Sequence, residues 1–73
     1  MDDLLEINEN ARMRREEAAE RLRTLADMLA RHNEVAFVRE GLRYSVRVPD
    51  EVHYTFEVEI GEDGSEVEVE IKW

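Results

Sequence analysis

His32 and His53 are the two imidazoles of this 73-residue chain, and no cysteine accompanies them. Without cysteine, disulfides, iron–sulfur clusters, thiolate zinc sites and thiol nucleophiles are excluded together. A zinc ion at His53 would need carboxylates, and a strand there offers Glu51 or Thr55 along the chain and Glu70 or Lys72 across it. An ammonium group beside a cation is unfavourable, so His53 reads as a solvated side chain. His32 reads as a helix-end residue facing the negative pole of the helix dipole. Glu57, Glu59, Glu66, Glu68 and Glu70 recur with a period of two within their strands. Paired carboxylates do acid–base work only where burial or a partner drives their pKa values apart. Alternating with apolar residues, these five read as a solvated acidic face. Arg12, Arg14 and Arg15, with Arg21 and Arg23 beyond, would suit an anion at a helix start, but Glu16 and Glu17 occupy the same turn. The glycines Gly41, Gly61 and Gly64 fall in turns, not in a phosphate-binding loop. Ser45 and Ser65 have no histidine at a suggestive spacing. No catalytic residue, cofactor or metal site is expected, and the chain reads as a non-enzyme.

The elements that must carry these residues are plainer than the chemistry. Leu42, Tyr44, Val46 and Val48 alternate with polar residues, and after Pro49-Asp50-Glu51 the pattern resumes with Val52, Tyr54, Phe56, Val58 and Ile60. Across Gly61-Glu62-Asp63-Gly64 the parity flips to Val67, Val69, Ile71 and Trp73. Residues two apart share a face of a strand, so three amphipathic strands are expected, joined by a bend at Pro49 and a glycine-rich hairpin turn. Val35 to Val38, closed by Glu40-Gly41, predicts a further strand. Upstream, Ala18, Leu22, Leu25, Ala26 and Leu29 form one helical stripe. Glu16 and Glu17 suit its N-terminus, and Arg31 and His32 suit its C-terminus. Glu17–Arg21 and Asp27–Arg31 are favourable four-residue pairs, and Asn33 can adopt the left-handed conformation that stops a helix. Leu5 and Ile7, alternating with Glu6 and Asn8, predict a short first strand over residues 4–9; residues 1–3 are expected to be disordered.

The expected fold is therefore α+β: one helix packed in two layers on an antiparallel sheet of four to five strands, in a single domain over 1–73 and in the order β-α-β-β-β-β. The expected core is Leu22, Leu25, Leu29, Phe37, Tyr44, Val46, Phe56, Val58, Val69 and Ile71. Strands lie about 4.8 Å apart, so five span about 20 Å, whereas one helix is about 10 Å wide. One helix cannot cover that face, and a homodimer is expected through apolar sheet surface near Trp73 or through a sheet edge. The expected interaction surface is Tyr54, Phe56, Val67, Val69, Ile71 and Trp73.

Nineteen acidic against ten basic residues give a net charge of −9. That balance disfavours direct binding to nucleic acid or to an anionic membrane surface. No apolar stretch approaches the roughly 20 residues that span a bilayer, and a soluble cytoplasmic protein is expected. Apart from Lys72 the basic residues are all arginine. That bias with excess carboxylate fits a protein from concentrated salt, and it fits a GC-rich genome equally. In the last hairpin like charges must face each other. A turn over residues 61–64 sets Glu59 against Glu66 and Glu57 against Glu68, while a two-residue Asp63-Gly64 turn sets Glu59 against Glu68 and Glu57 against Glu70. Arg43 and Arg47 on the preceding strand are expected to share that face and relieve part of the repulsion.

Three stretches together resemble the small amphi-Trp domains: Arg15-Glu16-Glu17-Ala18-Ala19 leading into Leu22 to Leu29, Val48-Pro49-Asp50-Glu51-Val52, and the closing Glu66-Val67-Glu68-Val69-Glu70-Ile71-Lys72-Trp73. The resemblance covers residues 5 to 73. Two positions depart from it: Arg14 stands where members usually carry Ser or Thr at the helix N-cap, and His32-Asn33 where Gly often follows the helix. The resemblance implies a fold and a salt-rich prokaryotic habitat, but no reaction.

Three functions compete. The first is a non-catalytic protein-interaction module acting as a homo-oligomer, with a further protein partner that the sequence does not name. The second is a small-ligand-binding protein or enzyme with a site at the sheet–helix seam, where Tyr44, Tyr54 and the histidines are the polar handles. The third is an acidic mimic of nucleic acid.

Overall fold

A computed structural model describes residues 7–73. Residues 7–14 run without regular structure to the helix α1, Arg15–Asp27. The expected first strand is absent at Ile7–Glu9, and its remainder lies outside the described residues. Two polar contacts hold this lead-in instead: Glu9 accepts from the Arg21 guanidinium, and the Asn8 carbonyl accepts from Arg39 at 3.3 Å.

The helix begins as its charges direct, with Glu16 and Glu17 in the first turn. Arg14 is its N-cap in an extended conformation, and its side chain makes no capping bond. After Asp27 the chain widens into a π-turn, Met28–His32, and stops at Asn33, whose φ of 53° is left-handed. The stop is the one that an asparagine with a short polar side chain tolerates. Neither Glu17–Arg21 nor Asp27–Arg31 is an ion pair among the described residues. Arg21 turns to Glu9, and the wider π-turn rotates residues four apart away from each other.

Four antiparallel strands follow the helix, which makes the fold α+β. They divide into two two-stranded sheets where the alternation predicts a single sheet. The first hairpin pairs β1, Glu34–Arg39, with β2, Leu42–Arg47, across the turn Glu40-Gly41. Both turn residues have positive φ, 53° and 78°. That is the geometry of a type I′ turn, which Glu fits less well than Asn or Asp. Phe37 and Tyr44 face each other in register and stack with ring centroids 5.4 Å apart. The Val48 N–H donates to the Asn33 carbonyl at 2.8 Å and carries the ladder one step further. Pro49 then has no N–H to donate, so the ladder ends and the chain leaves the sheet. The next strand does not rejoin this ladder.

The second hairpin pairs β3, His53–Ile60, with β4, Ser65–Lys72. Gly61 N–H donates to the Gly64 carbonyl at 3.0 Å within the four-residue turn. The register sets Glu59 opposite Glu66 and Glu57 opposite Glu68, the first of the two alternatives.

Among the described residues the expected core does not form. Leu22, Val46, Phe56, Val58 and Val69 are exposed, and Leu25, Leu29, Phe37, Tyr44 and Ile71 are half-buried. Among the described residues only Val48, at 9% exposure, is a buried hydrophobic. A helix and two separate ribbons cannot enclose these side chains, because neither ribbon is wide enough to form a layer. The Cα radius of gyration is 14.3 Å, against about 11 Å for a compact chain of this length.

Candidate interaction surface

The second hairpin separates its charged residues from its large apolar ones. On one face the register aligns Tyr54 with Ile71, Phe56 with Val69, Val58 with Val67 and Ile60 with Ser65. The opposite face carries the His53–Lys72, Thr55–Glu70, Glu57–Glu68 and Glu59–Glu66 pairs. The apolar face therefore holds no charge, and the other holds five carboxylates.

Part of the apolar face meets the helix. Leu22, Leu25 and Leu29 from α1, Val35 from β1, and Val69, Ile71 and Trp73 from the end of the chain line a seam of about 260 Å³. Of the six expected surface residues, the structure thus brings Val69, Ile71 and Trp73 together beneath the helix. Tyr54, Phe56 and Val67 lie outside the seam on the same hairpin face and are exposed. Val58 and Ile60 share this exposed face as well, although the alternation places Val58 in the expected core. Ile60, 83% exposed, is the most exposed large hydrophobic of this hairpin. Their even-numbered spacing, continuous with Tyr54 and Phe56, was the signal that could have placed them there.

The acidic face has its own electrostatic signature. The Glu68 carboxyl is pushed above its ordinary value, chiefly by the Glu66 charge and next by Glu57 across the ladder. Lys72 approaches Glu70 at 3.5 Å. Arg43 and Arg47 do not share this face: they lie in the first hairpin, in register with Val38 and Glu34. The division of the sheet withdraws the expected relief.

The two histidines lie on different elements. His32 lines an open cleft of about 390 Å³ with Asp27, Glu34 and Arg43. His53 is opposite Lys72, as the strand pattern predicts. Among the described residues no three histidine or carboxylate side chains converge as metal ligands would. No described helix is long and apolar enough to cross a membrane.

The hairpin's closing strand is amphipathic throughout and is followed by Trp73. The family model of the Amphi-Trp domain matches residues 1–73. The chain belongs to the Amphi-Trp domain family. No curated protein and no solved structure matches it. In this Amphi-Trp domain Trp73 lines the seam with Leu22, Leu25 and Leu29, while the strand that leads to it leaves Val67 exposed.

Proposed function

We propose that this Amphi-Trp domain is a non-catalytic protein-interaction module that works as a homodimer in the cytoplasm of a salt-adapted cell. The observation that carries the reading is the surface left open. The chain exposes 7338 Å², against about 4,700 Å² for a compact globular chain of its mass. A small acidic domain with no disulfide gains its missing burial most simply from a second subunit.

The rival reading, a catalytic or ligand site at the sheet–helix seam, needs polar groups to orient a substrate. Tyr44, Tyr54, His32 and His53 line none of the seam, whose seven residues are all apolar. That supports the non-catalytic reading.

Light scattering on the full chain at tens of micromolar and molar sodium chloride tests it. Twice the 8.6 kDa chain mass is expected. A mass of one chain under those conditions would overturn the proposal.

A further inference from the structure

The helix-proximal end of the second hairpin shares a cavity with the helix; among the described residues the turn-proximal end has no such neighbour. Beyond the seam, Phe56 (56% exposed), Val58 (51%), Ile60 (83%) and Val67 (63%) stand on one uncharged face. We propose that this end of the β3–β4 face is where a second copy of the chain docks, the two hairpins packing face to face about a two-fold axis. The proposal rests on the homodimer reading above and adds to it the surface and its geometry.

Three observations lead there. The first is area. The 7338 Å² of the chain exceeds the surface of a compact chain by about 2,600 Å² per protomer, or about 5,200 Å² for a pair, and obligate homodimers bury about 2,000–5,000 Å² in total. The chain as a whole therefore leaves enough surface open for a stable dimer, and the exposed end of the β3–β4 face supplies part of it.

The second is self-complementarity. A two-fold contact places one patch against its own copy, so a patch with a net charge repels itself. The turn-proximal face carries only Phe56, Val58, Ile60, Val67 and the small Ser65. Branched and aromatic side chains on two such ribbons can interdigitate as they do in a sandwich, with the sheets about 10 Å apart.

The third observation disfavours the edges of the second hairpin. Pairing β4 with its own copy, antiparallel in one ladder, would bring Glu66, Glu68 and Glu70 against their equivalents. Pairing β3 with its copy would do the same to Glu57 and Glu59. Each would extend a ladder that already opposes Glu57 to Glu68 and Glu59 to Glu66. Like charges directly opposite are destabilising. Face packing instead turns the two acidic faces outward, on opposite sides of the sandwich and separated by both sheets.

The cysteine-free chain allows a direct test. Single cysteines at Val58→Cys and Val67→Cys report the apolar face, and Glu59→Cys and Glu66→Cys report the acidic face one residue away. A short flexible bis-maleimide is added to each full-length variant, after its mass in solution has been measured. Groups held in one interface meet at an effective concentration near millimolar, so the two apolar-face variants should cross-link into dimers about tenfold or more faster than the acidic-face pair at tens of micromolar protein. A companion variant, Val58→Glu, should reduce the dimer to single chains, whereas Glu59→Gln should not.

The outcomes separate cleanly. A dimeric mass with fast cross-linking at residues 58 and 67 supports the face. A dimeric mass with cross-linking as fast or faster at 59 and 66 overturns the face and leaves the homodimer reading intact. A single-chain mass for the unsubstituted protein, with no preference among the four positions, overturns both. Should Val58→Glu fail to fold, the conservative cysteine variants still decide the matter.

Discussion

At the start of α1 the Arg14 side chain occupies the position where the helix most needs an acceptor. The four leading N–H groups of a helix lack intrahelical partners. Here the Arg14 backbone carbonyl accepts from Glu17 and Ala18 N–H, both at 3.1 Å, but the guanidinium accepts nothing. It also adds positive charge at the positive pole of the dipole. Arg14→Ser keeps the extended N-cap conformation and supplies the missing oxygen. Its expected effect is a gain of about 1 kcal/mol in stability by denaturant melts. Arg14→Ala, which removes only the charge, should gain less, and equal gains would assign the effect to the dipole rather than the cap. The other end of the same segment needs no such repair. Asn33 supplies the left-handed stop, and its carbonyl also receives the Val48 N–H, so one residue ends the helix and anchors the first hairpin.

In the second hairpin each ladder step fixes which charges meet. Glu66 and Glu57 together hold the Glu68 carboxyl above its ordinary value of 4.5. A carboxyl raised in the folded state binds its proton more tightly than in the unfolded chain. Stability therefore falls as pH rises from the unfolded value through the folded one, and the repulsion is complete at neutral pH. Glu68→Gln should thus raise the melting midpoint at neutral pH and low salt. The gain should fade at about 1 M sodium chloride, where the Debye length of about 3 Å is shorter than the cross-strand spacing. Acidifying the unsubstituted protein from about pH 7 toward 5 should raise the midpoint in the same direction. Thermal melts against a neutral reference protein separate screening from general salting-out, and a midpoint indifferent to salt, pH and substitution would remove the acidic face from the account. Much of this element was legible in advance. Period-two alternation located both strands but left two registers open, and the structure takes the one with the four-residue turn Gly61 to Gly64. The place where the hairpins part was not legible, because Pro49 marks the end of a ladder without saying whether the next strand rejoins it. Arg43 and Arg47 were misplaced for that reason alone. The π-turn at Met28–His32 also left no trace in the spacing, since Leu25 and Leu29 suit an α-helix as well.

For the molecule entire, the burial that the sequence assigned to a core appears as exposed surface. Leu22, Phe56, Val58 and Val69 were selected by their periodicity, which reports the face a side chain occupies. It does not report whether the cover for that face comes from the same chain. The tip of the second hairpin, where Phe56, Val58, Ile60 and Val67 lie beyond the seam, is the clearest case. If a second copy supplies the cover, folding and association are one event, and stability depends on protein concentration. The thermal midpoint of the full chain, followed over a hundredfold range from about one to about one hundred micromolar, reads this out. For a dimer of this size it should rise by about 10 °C across the range, from the unfolding enthalpy typical of its length. A midpoint that stays constant, with the mass of one chain throughout, would contradict a fold completed by its own copy.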